Sequence, residues 1–249
     1  MINYIFKRYE VKFLLSPKEF DEIKDELFDK VSLDEFGETT IQSLYYDTPS
    51  NLLIRRSIEK PIFKEKLRLR SYGLAKEDSK LYLEIKRKYE HVVYKRRISL
   101  TQKEANGYID GSVKPDSQIA REISTFRKQY KNLRPNMLII YDRCAYKDES
   151  GDLRITLDRN IRYRTDNLDL TYGLYGKNII PDGYILMEIK VPGTYPMWLA
   201  RLLTEHRIFK TSFSKYGRAY QMEEEKRLEE RRDTLTWMNY SEQYLTANQ

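Results

Sequence analysis

At 249 residues the chain is long enough for one large domain or two small ones, and its 45 Lys and Arg against 38 Asp and Glu leave a net charge of +7. That balance favours an anionic partner through the placement of its cations, with nucleic acid, headgroups and polyphosphates all open. One cysteine, Cys144, excludes a disulfide framework or zinc-finger cluster, and the isolated His91 and His206 leave any metal to carboxylates. No stretch approaches the roughly 20 apolar residues that span a bilayer, so the chain is expected to be soluble and cytoplasmic, with no transmembrane segment of its own.

In chain order, residues 4–15 alternate, with Tyr9, Val11, Phe13 and Leu15 on one face and Arg8, Glu10 and Lys12 on the other, which predicts a half-buried strand. Ser16-Pro17-Lys18-Glu19 is a helix start with cap, first-turn proline and capping-box glutamate, and Phe20, Ile23, Leu27, Phe28 and Val31 continue it as an apolar stripe. A strand over 40–46 stops at Asp47-Thr48-Pro49, and a short helix follows over 50–57. The next strand, 63–72, carries Lys64, Lys66, Arg68 and Arg70 in one row. After a polar turn, 81–88 puts Tyr82, Glu84, Lys86 and Lys88 on one face, and 92–100 pairs with it as a hairpin bearing Lys95 and Arg97. Thr101 and Glu104 form another capping box, and a helical pattern runs over 117–130. Strands follow over 136–146, 153–157 and 184–191, where Glu188 and Lys190 stand opposite Met187, Ile189 and Val191. An amphipathic helix over 196–206 and a charged terminal helix after Ser214-Lys215 close the chain.

Like charges in a row repel unless an anion lies between them, and the same row recurs strand after strand. A sheet closed into a barrel would turn these polar faces onto one lumen. Arginine grips phosphate oxygens with a planar fork and lysine adds a mobile point charge. Glu10, Glu84 and Glu188 in the same layer would partly neutralise the field and could hold a divalent cation. The lack of a Gly-rich phosphate loop argues against a P-loop NTPase. The run Glu223 to Asp233 reads as a solvated helix with i,i+4 pairs.

Arg8-Tyr-Glu10-Val-Lys12, Lys66-Leu-Arg68-Leu-Arg70, Leu83-Glu84-Ile-Lys86, Tyr94-Lys95-Arg96-Arg97, Tyr141-Asp-Arg143, Arg154-Ile-Thr156-Leu-Asp158, Met187-Glu188-Ile-Lys190 and Ser214-Lys215 together resemble, in this order, a VTC domain. That is the polyphosphate polymerase module of the vacuolar transporter chaperone complex, with bacterial relatives. The resemblance covers about residues 3–220 and implies a triphosphate tunnel metalloenzyme of the CYTH-like superfamily. Its expected fold is α+β: an eight-stranded antiparallel barrel with helices outside and a C-terminal helix. One tunnel domain over 1–220 and a helical extension over 221–249 are expected.

The resemblance implies metal-dependent transfer of the terminal phosphate of ATP, or another nucleoside triphosphate, onto inorganic polyphosphate, with Mn²⁺ or Mg²⁺. Carried over by motif, Lys12, Arg68, Arg70, Lys86, Lys95, Arg143, Arg154 and Lys215 grip phosphates, with Lys66, Arg97 and Lys190 added from the same faces. Arg68, Arg70, Arg154 and Lys215 are the expected catalytic set, Glu188 the metal ligand and Glu10 a second carboxylate for it. Tunnel hydrolases commonly begin Glu-x-Glu-x-Lys, and Arg8 replaces the first Glu, which weakens a two-metal hydrolase. A tunnel-type triphosphatase and a non-catalytic polyphosphate-binding module remain alternatives, and nucleic acid is not expected as a partner. Coupling to translocation would need a separate membrane protein.

Overall fold

The computed structural model describes residues 9–59, 61–90, 92–114 and 116–246, with side chains described as far as residue 234. Its centre is one curled antiparallel sheet. Strand β1 (Tyr9–Leu15) pairs with β9 (Ile185–Val191), which pairs with β7 (Arg154–Arg164) and then β6 (Arg134–Lys147). The path continues through β2 (Ser32–Asp47), β3 (Phe63–Tyr72), β4 (Leu81–Tyr89) and β5 (Val92–Leu100), while the two-residue β8 (Lys177–Asn178) pairs with β7.

Helices cover the outer face where the strands present their apolar residues. Helix α1 (Pro17–Lys30) starts on the expected capping box, with Ser16 and Glu19 satisfying each other's backbone N–H groups. It packs Ile23 and Leu27, with Leu199, Leu202 and Leu203 of α5 (Met197–Glu205), onto Phe13, Leu15, Ile155, Leu157, Met187 and Ile189. Helices α3 (Gln102–Asp110) and α4 (Gln118–Gln129) lay Ala105, Tyr108, Ile123 and Phe126 over Leu67, Leu69, Leu81, Leu83 and Ile85. Each such Leu or Ile, fully buried, contributes about 1.5–3 kcal/mol. Period-2 alternation therefore sends the cation rows of β1, β3, β4, β5 and β9 to the other, inner face.

The sheet differs from the expected barrel in two respects. Among the described residues β1 and β5 are not hydrogen-bonded to each other, so the sheet is not closed. The outer edge of β1 is taken instead by Thr211, whose N–H donates to the Lys12 carbonyl at 2.7 Å. The inner face is also not polar throughout. Tyr45, Met137, Ile139, Ile161, Tyr163 and Leu186 form an apolar floor at one end. It is covered by α2 (Leu52–Ile58) and by Tyr216 and Ala219 at the start of α6 (Lys215–Thr246). Asp47 anchors this seal: it accepts the N–H groups of Leu53 and Ile54 at 2.9 Å and the Tyr216 hydroxyl at 3.1 Å.

Strand β2 begins at Ser32 rather than 40, through an irregularity between Leu33 and Glu38 where Gly37 takes φ +58°. Strand β7 runs to Arg164, well past the expected 157, beyond a register shift opposite Ile140/Asp142. Helix α6 continues unbroken across residue 220. No helix of the described residues is long and apolar enough to cross a membrane.

Candidate functional site

Register brings the charged rows together. Between β1 and β9, Lys12 stands opposite Glu188 and Glu10 opposite Lys190. Between β7 and β9, Thr156 faces Glu188 and Arg154 faces Lys190, and between β6 and β7 Arg143 faces Asp158. Helix α6 begins where Ser214 Oγ accepts the Gly217 N–H at 3.2 Å, and this start aims the next side chain, Lys215, into the same cluster.

The result is a knot of alternating charge. Arg143 grips Asp158 with a fork of 2.5 and 2.6 Å and reaches Glu188 at 3.4 Å. Lys215 bonds Asp158 and lies 3.0 Å from Glu188, and Lys12 lies 3.2 Å from the same Glu188 oxygen. Lys190 stands 3.9 Å from Glu188 and 3.7 Å from Glu10. Asp158 is fully buried and Glu188 nearly so. Burial alone would raise the Glu188 carboxyl, but Lys215, Lys12, Arg143 and Lys190 outweigh it and hold it well below the ordinary range. Burial likewise opposes the Lys215 charge, yet Asp158 and Glu188 push its pKa up.

A second cluster lies on β3, β4 and β5. Glu84, 1% exposed, takes Arg68 at 2.7 Å, Lys95 at 2.7 Å and Arg97 at 3.9 Å. Against the cost of burial, Arg68, Arg70 and Lys95 bring its carboxyl down to about 2. Arg70 is buried on neutral oxygens, donating to Ser43 at 3.4 Å and Tyr141 at 3.3 Å. Lys66 rests 3.4 Å from the Ser214 hydroxyl and 5.6 Å from the centre of the Tyr216 ring. Burial lowers its ammonium most; Lys86, Lys64 and Lys12 lower it further against an opposing pull from Tyr45, to about 8. Lys86 is wetted but ringed by protein, and this desolvation, with Arg68 and Lys12 added and Glu10 opposing, also lowers its pKa.

All eleven expected phosphate-binding residues belong to these inner-face rows or to α6. Arg154, like Lys95 and Arg97 about half exposed, is ion-paired to Asp34 at 3.0 Å on the unforeseen start of β2. The sequence reading missed the weight of Asp158, which it quoted only within a motif, and of Tyr45 and Tyr141, which support Arg68 and Arg70. The alternation Tyr141-Asp142-Arg143 already placed Tyr141 beside Arg143. Arg8 and His91 lie outside the described residues.

The donor set fits a metal carried in on phosphate rather than one caged by protein. Among the described residues no three His, Cys, Asp or Glu side chains gather as a cage. Glu188 and Glu10 are adjacent, however, and across the strand pair from Glu188 the buried Thr156 hydroxyl has no hydrogen-bond partner. One or two carboxylates plus substrate phosphates are a normal set for Mg²⁺.

An open antiparallel sheet curled around converging cations and buried carboxylates, with helices outside, defines a tunnel-type fold. The family model for the VTC domain matches residues 7–223, and the chain belongs to that family. Among solved structures it is similar to a candidate adenylate cyclase of Bacillus halodurans, at TM-score 0.52 and 15% identity over 82% of this chain and 92% of that one. Two looser matches are a candidate adenylate cyclase of Vibrio parahaemolyticus (TM-score 0.46, 13% identity, 86% and 97% covered) and HpAC1 of Hippeastrum (0.48, 20%, 83% and 92%). HpAC1 is a candidate adenylyl cyclase described as having a dominant triphosphatase activity. No curated protein sequence matches the chain.

Proposed function

We propose that this protein is a phosphotransferase that moves the terminal phosphate of a nucleoside triphosphate onto inorganic polyphosphate. The observation that carries this reading is the convergence of Lys12, Lys66, Arg68, Arg70, Arg143 and Lys215 from separate elements onto one inner face that also holds the buried Glu188 and Glu84. Phosphoryl transfer asks for charge neutralisation and in-line placement more than for covalent chemistry. The acceptor's terminal phosphate oxygen is already ionised at neutral pH, so no strong base is required. Arg68 and Arg70 neutralise the transferring group, while Lys12, Lys215 and Arg143 exchange their carboxylate partners for phosphate oxygens. Lys66, Lys86, Lys95, Arg97, Lys190 and Arg154 steady the rest of the polyanion.

Glu188, with Glu10 and Thr156 beside it, would hold Mn²⁺ or Mg²⁺, which supplies charge neutralisation on phosphate oxygens. A cytoplasmic setting, where nucleoside triphosphates are abundant, suits this reading. A second reading, a tunnel-type triphosphatase, is favoured by the α6 seal, because a polymer acceptor needs a path of its own past the closed end.

The test is to incubate the protein with γ-labelled ATP, short polyphosphate and Mn²⁺ or Mg²⁺, and to divide the label between acid-insoluble polymer and orthophosphate. Polymer-bound label is expected. Label only in orthophosphate moves the assignment to the triphosphatase, and tight tripolyphosphate binding without turnover moves it to a binding module.

A further inference from the structure

Helix α2 and the start of α6 cover one end of the inner face, so a nucleotide would approach away from that cover. At the covered end the inner-face rings are used up: Tyr45 stacks on Tyr216 at 4.2 Å, and Tyr163 donates to Glu223 at 2.9 Å. Tyr141, 3% exposed, lies beneath Lys215 and Arg143, which sit 4.6 and 5.1 Å from its ring centre.

Away from the cover two inner-face rings stay accessible. Tyr72, the last residue of the cation row, is 47% exposed, and Tyr82 is partly exposed. The two meet edge to face at 5.7 Å, and Arg97 stacks on Tyr82 with its guanidinium carbon 4.6 Å from the ring centre. Register puts Tyr82 directly opposite Arg70, one pleat repeat beyond the Arg68–Glu84 pair, which is a step of roughly 7 Å along a strand. A flat, accessible π surface thus stands one step outward from buried phosphate-gripping arginines. Every nucleobase has a π face, and stacking on a tyrosine beside an arginine needs no base-specific hydrogen bonds.

We propose that Tyr72 and Tyr82, with Arg97 behind them, form a nucleobase platform away from the covered end. The donor would be a nucleoside triphosphate lying base outward, with its terminal phosphate pointing toward Lys215 and Glu188. This rests on the reading of the inner face as a phosphate site. It adds that the site prefers a nucleotide to an inorganic triphosphate by stacking, with little discrimination among bases.

The test is calorimetric titration of the full chain, without added metal, with ATP, GTP and tripolyphosphate. It compares wild type with Tyr72→Leu/Tyr82→Leu, with Tyr72→Phe and with Phe36→Ala, a rim aromatic 70% exposed within the irregular part of β2. The double leucine variant is expected to bind ATP and GTP about tenfold more weakly and tripolyphosphate within about twofold of wild type. Phe36→Ala is expected to match wild type, and Tyr72→Phe, which keeps the ring but loses the hydroxyl beside Arg70, to keep the preference for nucleotide over tripolyphosphate. Equal weakening toward all three ligands would make the tyrosines props for Arg70 and overturn the platform. Unchanged ATP binding in the double variant, or the ATP loss appearing in Phe36→Ala instead, would also overturn it. Wild type that binds tripolyphosphate but no nucleotide would reject the platform and leave the phosphate site standing; binding of none of the three would remove both.

Discussion

The two charge clusters of the inner face solve the same problem differently. Around Asp158 and Glu188 the cations Arg143, Lys215, Lys12 and Lys190 are matched by buried carboxylates, across four strands and a helix. On β3 and β4 Glu84 is the one buried carboxylate of the inner-facing rows among the described residues, and Arg70 and Lys66 rest on hydroxyls and rings instead. The matched knot holds its shape without ligand and must exchange partners when phosphate arrives. The under-matched stripe is ready for an anion and carries an electrostatic cost until one binds. Recurring like charge was expected to make every row costly when empty; the register of β1, β7 and β9 removes that cost on one side only.

The largest effect is expected from Glu188→Gln. The change removes a proposed metal ligand while leaving a cationic cavity, so metal-dependent turnover should vanish and tripolyphosphate affinity should hold or rise. Wild-type turnover across a Mn²⁺ titration would reduce Glu188 to a strand ion-pair residue.

Asp158→Ala should cost stability instead. It strands Arg143 and Lys215 in a buried setting, and breaking such a pair costs about 3–5 kcal/mol. Urea unfolding should register the loss, and a change under about 1 kcal/mol would show the knot to be weakly coupled. By the same reasoning Arg68→Ala leaves Glu84 with Lys95 and Arg97, so it should destabilise measurably.

Arg70→Ala sharpens the contrast, because its partners are neutral oxygens. Apo stability should change little, while triphosphate binding loses a charge-assisted contact worth about 1.5–3 kcal/mol. Thermal melts with and without tripolyphosphate separate the two quantities. An undiminished ligand shift would take Arg70 out of the site.

The smallest effect concerns pH. The Lys66 ammonium is lowered from 10.5 to about 8, so it is charged in folded and unfolded chains alike below that value. Between about 8 and 10.5 the unfolded chain binds more protons, and the stability penalty of this group fades as pH rises. A bound polyanion favours the charged form, so binding near pH 8–9 should take up protons and weaken as pH climbs. Titrations in buffers of different ionisation enthalpy would detect the uptake, and a Lys66→Met variant should lose that increment.

Much of this was legible in the residues. Period-2 alternation placed Glu84, Lys86, Arg68 and Arg70 on one face, and Ser16 and Thr101 marked helix starts that the structure contains. Asp158 was less legible. A carboxylate in an alternating strand looks the same whether it meets solvent or two cations, and its partners lie 15 and 57 positions away in the chain. Arg154 was half legible: its motif named it as a catalytic group, but its ion pair with Asp34, on a start of β2 that the alternation did not reach, came only with the tertiary structure.

The sequence by itself determined which side chains share a face, because strand pleat and helical pitch are local, and it carried the ordered motifs of the family. Only the tertiary structure decided which cations are neutralised, where the sheet stays open and which end is covered. Those outcomes depend on register between distant strands, on Thr211 occupying the edge of β1, and on Asp47 and Asn136 gripping Tyr216 so that α6 covers the floor. Such contacts form between segments far apart in the chain, so no local periodicity encodes them.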